Sequence, residues 1–140
     1  MINYHQAAKR HFADAELLMH NKRQANAGHL YGVSAECGIK SLLVAAGLPT
    51  TSTGDINSQQ ANGCRSHVNV LINVLETFLN GRAAASYLAM IPNRNQFSNW
   101  KVYHRYYIES ALPQNVSDWR SATQEVMKML DQATLDGVIT

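Results

Sequence analysis

The sequence predicts an all-α protein, an antiparallel bundle of four to five helices in one domain spanning residues 1–140. Three observations carry this. The stretch QANAGHLYGVSAECGIKSLLVAAG, residues 24–47, is long enough for a helix of about six turns and is threaded with small residues. Three further stretches place apolar residues three and four positions apart, the spacing of one helix face. No stretch combines strand-like alternation with a hairpin turn.

The first helix covers residues 3–20. Tyr4, Ala7, Ala8, His11, Phe12, Ala15, Leu18 and Met19 form its apolar face, and Asn3 can cap its start. His5, Lys9, Glu16 and His20 fall mostly elsewhere. The turn Asn21-Lys22-Arg23 is short, so the second helix should run back antiparallel to the first. That second helix is the centre of the fold. Gly28 and Gly32 share a face, and glycine costs about 1 kcal/mol relative to alanine in a helix interior, so close approach by neighbouring helices is expected. Glu36 and Lys40 stand four apart in an apolar segment, where charges require partners. Gly47 suits a left-handed cap and Pro49 follows.

Residues 48–65 read as a long polar loop, mobile rather than functional. Ser66 caps a third helix reaching residue 80, with Val68, Leu71, Ile72, Leu75, Phe78 and Leu79 as its stripe. Arg82 to Ile91 forms a shorter helix stopped by Pro92, followed by the loop PNRNQFSN. Residues 99–109 are helical or irregular and end by Pro113. Ser117 caps the last helix, about 118–134, whose face is Trp119, Ala122, Val126, Met129 and Leu130.

Composition excludes more than it selects. A net charge of +2 is too small to argue for a nucleic-acid surface by charge alone. Cys37 lies in an apolar helix and Cys64 in a polar loop, and neither has a CxxC partner, which speaks against zinc or redox chemistry. His5, His11, His20 and His29 make no convincing metal set, and no phosphate loop or nucleophile motif is found. No cofactor and no metal are expected. The lack of a long apolar run and of a signal-peptide core makes a cytoplasmic location the default.

The segments AGHLYGVSAECGIKSLLVAAG, HVNVLINVLETFL and NWKVYHRYY, in that order, resemble the HEPN superfamily of higher-eukaryote and prokaryote nucleotide-binding domains. The pattern A-x-x-L-x-G-x-A-x-E-x-x-L-K is carried by Ala27, Leu30, Gly32, Ser34, Glu36, Ile39 and Lys40, with serine in place of alanine. The resemblance covers about residues 4–132. It implies a helical bundle, dimerisation, and either metal-independent ribonuclease activity of a toxin or a non-catalytic role beside a small nucleotidyltransferase or an antitoxin. The catalytic signature, Arg followed after four to six residues by His, is not met. Nine residues separate Arg94 from His104, Asn99 has the spacing without the charge, and Arg65 precedes His67 by a single intervening residue.

The strongest site in the sequence is residues 100–107. His104 can act as a general base, Arg105 can hold a phosphate, and Trp100, Tyr103 and Tyr106 can stack on bases. Glu36 is expected to be at least half buried and bonded to Lys40 or Arg105, adding Glu36 and Lys40 to a ligand-binding set. His67, in the first turn of its helix, reads as a polar cap residue that the positive dipole keeps neutral. The expected function is a non-catalytic HEPN-like binding protein acting through a protein partner, a nucleotide or RNA, with a homodimer as its form. The alternatives are a ribonuclease using His104 with Arg105 or Arg94, and a ligand-free helical scaffold.

Overall fold

The computed structural model describes residues 1–61 and 63–140, and Asn62, in the expected polar loop, lies outside the described residues. The fold is all-α. Helix α1 spans Tyr4–His20, α2 Gln24–Ala45, α3 Val68–Leu79 and α4 Val116–Leu135. Four 3-10 segments, Ala83–Met90, Arg94–Asn99, Val102–Tyr106 and Glu109–Ala111, join α3 to α4. Among the described residues the extended pairing is a single bridge, Thr50 to Ile56.

Helix ends follow local chemistry. The Asn3 side chain accepts from the Gln6 N–H at 2.9 Å and caps α1. Helices α1, α2 and α4 all close the same way. A left-handed residue (Lys22, Gly47 or Gly137) is followed by an N–H that reaches back to a carbonyl in the last turn. Arg23 donates to Leu18, Leu48 to Leu43 and Val138 to Ala133, the six-to-one bond of a Schellman cap. Lys22, at φ 59°, is the one non-glycine described in this conformation, and it turns the chain so that α2 returns along α1.

Two expected starts are shifted. The third helix begins at Val68 with His67, not Ser66, at its cap, and His67 makes no capping bond because its imidazole turns to Glu36. The last helix begins at Val116, two residues before the start that a Ser117 cap would give. Asn115 holds the cap position, and its amide is engaged in a reciprocal pair with Asn99 at 2.8 and 3.1 Å. The loop 92–99 and the helix 82–91 are both largely 3-10.

Helix α2 packs against α1, α3, α4 and the segment Val102–Tyr106. Tyr31, Ala35, Ile39, Leu42 and Leu43 are completely buried along it. Each large side chain so buried contributes about 1.5–3 kcal/mol. The small residues do admit close neighbours, but of two kinds. Gly28 and Gly38 face Trp119 and Val126 of α4, as expected for helix packing. Gly32 faces an indole: a Cβ there would lie 2.1 Å from Trp100. The loop between α2 and α3 is also more anchored than its composition implies. Leu48, Ile56, Ala61 and Cys64 are buried, Tyr4 donates to Asp55 at 2.7 Å, and Ile2 donates to the Thr53 carbonyl at 2.7 Å.

Gly32→Ala should lower stability. Overpacking costs about 1–3 kcal/mol, against about 1 kcal/mol gained in helix propensity. Gly28→Ala, where the nearest contact is 3.1 Å, should cost less. Urea denaturation of both variants checks the order; a stabilised Gly32→Ala would mean the indole moves aside freely.

Candidate functional site

Trp100 lies in extended backbone between two 3-10 segments, so its side chain can be driven inward while its neighbours stay outside. Its indole is 1% exposed and donates to the Gly28 carbonyl at 3.2 Å. His29, one turn along α2 from Gly32, stacks on it, with ring centroids 5.4 Å apart and planes at 22°. His67 meets the same indole at 6.5 Å and 57°. The sequence-derived site therefore divides into two parts that share Trp100.

The first part is ionic. Glu36 accepts from Lys40 Nζ at 3.2 Å and faces His67 Nδ1 at 3.0 Å. A carboxylate only accepts, so Nδ1 is the protonated nitrogen. Lys40 also donates to the Arg65 carbonyl at 3.4 Å. The expected burial of Glu36 holds, with its side chain 14% exposed, and so does the Lys40 bond. The expected Arg105 partner does not. Arg105 is exposed, its guanidinium 4.9 Å from the centre of the Tyr106 ring, and His67 occupies the other carboxylate oxygen. A carboxylate, an ammonium and an imidazole thus fasten the start of α3 to α2, and no substrate group is needed to complete them.

The second part is a cleft of about 150 Å³ between the first turns of α2 and α4 and the segments around residues 100–104 and 109–114. Gln24, His29, Trp100, His104, Glu109 and Trp119 line it, with Leu112, Pro113, Gln114 and Val116. Both indole N–H groups are already used. Trp119 donates to the Gln96 carbonyl at 3.0 Å and lies 3.1 Å from Asn99 Oδ1. His104 stacks on Trp119, centroids 6.2 Å apart at 23°, and its Nδ1 accepts from the Lys101 N–H at 3.3 Å. His29 Nδ1 is buried without a hydrogen-bond partner. Burial holds the His29 imidazole below its ordinary pKa, with Arg105 and His104 pushing the same way. Burial likewise lowers His104, helped by Lys101. Both rings are therefore neutral near pH 7 and can take up polar partners without carrying charge.

Cations border the cleft. Lys101 and Arg105 flank His104 in the chain, and an adjoining depression shares Gln24, Ala25 and Glu109 and is lined by Lys22 and Arg23. Lys9, Lys40, Arg65, Arg94 and Arg120 each have a carboxylate partner. Among the described residues Lys22, Arg23, Lys101 and Arg105 have none, and elsewhere neither do Arg10, Arg82 and Lys128. Tyr103 and Tyr106 stay outside, 65% and 72% exposed.

Of the sequence-derived site residues, Trp100 and His104 line the cleft, Arg105 stands close enough to influence His29, and Glu36 and Lys40 lie in the ionic part. Sequence reasoning missed Gln24, Glu109, Gln114 and Trp119, and weighed His29 only as a metal ligand. His29 could have been found from Gly32, since it shares the glycine face of α2. No group of three or more His, Cys, Asp or Glu side chains among the described residues is placed to hold a metal. Burial pushes the Cys37 thiol up to about 11 and raises that of Cys64, so neither is a ready thiolate. No helix among the described residues is long and apolar enough to cross a membrane. Comparison with protein families, with characterised proteins and with solved structures gives no match for this chain.

His29, His104 and, on α1, His11 are all held below the ordinary imidazole value, burial being the largest cause in each case. The unfolded chain then binds protons more tightly than the folded one. Stability is full above the ordinary value near about 6.5 and falls as pH drops through it toward the lower folded values. The thermal midpoint should decline between about pH 7 and about pH 5, and His29→Phe, which keeps a ring on Trp100, should reduce the decline. A midpoint flat over that window would contradict this.

Proposed function

We propose that the chain is a non-catalytic, HEPN-like helical binding protein whose ligand is a nucleotide, free or at the end of an RNA. The carrying observation is the cleft: a ring-sized slot with imidazole and indole walls, bordered by cations that have no carboxylate partner. A cavity of about 150 Å³ accepts one benzene-sized ring. Sugar and phosphate would then lie outside, where Lys101 and Arg105 stand.

The ribonuclease alternative uses His104 with Arg105 or Arg94; Arg94 is paired with Glu76 and Arg105 is outside the cleft lining, and the group that shares the cleft with His104 is His29. Metal-independent phosphodiester cleavage needs one imidazole as base and one protonated as acid. Both are lowered, chiefly by burial, and a charge on His104 further disfavours one on His29, so the acid form is scarce at neutral pH. That weighs for binding over catalysis. A protein partner is the second reading, supported by the exposed Tyr103, Tyr106 and Ile108 beside the cleft. A second copy of the chain, a small nucleotidyltransferase or an antitoxin would each fit that surface by the HEPN resemblance.

The test uses the protein's own reporters. Its two tryptophans, Trp100 and Trp119, both line the cleft. Titration with nucleoside monophosphates at low salt should change tryptophan emission saturably. Affinity should fall as salt rises, and Arg105→Ala should weaken binding roughly ten-fold, the scale of a lost charged hydrogen bond. No response from any nucleotide or from single-stranded RNA would remove this reading and leave the protein-partner one.

A further inference from the structure

We propose that the cleft selects a single-ring base bearing an exocyclic amino group, the cytosine class, and rejects purines; this rests on the nucleotide reading above. Two independent features set the choice. The first is space. A pocket of about 150 Å³ is filled by one six-membered ring, and the walls are poorly placed to yield. Trp100 is wedged against Gly32 and bonded to Gly28, Trp119 is bonded to Gln96, and each carries a stacked imidazole. A purine would have to displace one of these pairs or leave its second ring outside.

The second feature is the polarity of the lining. With both indole N–H groups consumed, the polar side chains left to read a ring edge are the Gln24 amide, the Gln114 amide, one N–H of which goes to the Leu112 carbonyl at 3.0 Å, and the Glu109 carboxylate. The side chain of Glu109, an exposed residue, has no hydrogen-bond or ionic partner among the described residues. A carboxylate only accepts, so a ring edge that meets it must donate, and the amino group of cytosine is the donor a Glu side chain reads on that base. Uracil presents a carbonyl oxygen at that position and would set acceptor against acceptor. The glutamine amides both donate and accept, so they fit the remaining ring nitrogen and carbonyl of either pyrimidine.

The experiment is tryptophan-monitored titration with CMP, UMP, AMP and GMP on the wild type and on Glu109→Gln and Leu112→Ala, with circular dichroism confirming that each variant stays folded. CMP should bind at least roughly ten-fold more tightly than AMP or GMP, and several-fold more tightly than UMP. Glu109→Gln should bring UMP to within about two-fold of CMP, because an amide can donate to the uracil carbonyl. Leu112→Ala, which widens the slot without touching its polar groups, should raise purine affinity relative to CMP. Purines binding the wild type as tightly as CMP would overturn the size argument, and CMP and UMP binding equally would overturn the role of Glu109. Either outcome leaves the nucleotide reading standing. Silence from all four nucleotides would overturn both.

Discussion

The contact on which the rest of the molecule depends is the Trp100 indole on the glycine face of α2. It is a tertiary contact between residues far apart in sequence, and it fixes the otherwise irregular chain between α3 and α4. That chain consists of short 3-10 segments, whose hydrogen bonds are poorer than those of an α-helix and which hold together only when side chains anchor them. Trp100, Phe97 and Ile91 are those anchors, all completely or almost completely buried. Once the indole is seated, His29 and His67 find a ring to pack on, and the 102–106 segment is brought against α2. Glycine at position 32 is what leaves room for it. The cost in helix propensity is repaid by an aromatic side chain taken entirely out of water.

Charge does the orienting that apolar packing cannot. Besides the Glu36–Lys40–His67 group, Glu16 of α1 takes a two-point grip from Arg120 of α4, both contacts at 2.8 Å, and accepts from Tyr31 of α2 at 2.7 Å. The Arg120 hydrogen bonds hold the Glu16 carboxyl below the usual range, while burial and the carboxylate beside it raise the Tyr31 hydroxyl. Three helices meet at that one carboxylate, with a geometry that apolar contacts, being non-directional, do not specify. The two groups lie at different places along α2, so the central helix is fixed in rotation as well as in position.

Much of the fold was legible because it is written locally. Helix periodicity, the Asn3 cap and the Gly47 stop are properties of neighbouring residues, and they put α1 and α2 where they are. The misplacements have a common origin in competition for side chains. His67 and Asn115 take the cap positions with their polar groups directed to Glu36 and Asn99, partners 31 and 16 residues away. Arg105 pairs with Tyr106 because the 3-10 turn leaves it outside, which no spacing rule reveals. The loop after α2 reads as polar because its anchors, Leu48, Ile56, Ala61 and Cys64, are too sparse to form a period. The cleft was half legible: the aromatic stretch marked one wall, but the opposing wall comes from the starts of α2 and α4 and exists only once the bundle closes.

The fastening of that loop bears on how the sequence can change. The chain leaving α2 is pinned at Leu48 and Ile56, and it is pinned again before α3, where Lys40 holds the Arg65 carbonyl and Cys64 is buried. Between these fixed points Ser58, Gln59 and Gln60 stand exposed. Extra residues at this tip would leave every anchor in place, and the entropy of closing a loop grows only slowly with its length. The tip is thus a natural seam, where the protein can accept an inserted peptide or a nick while its two halves remain held together by α2.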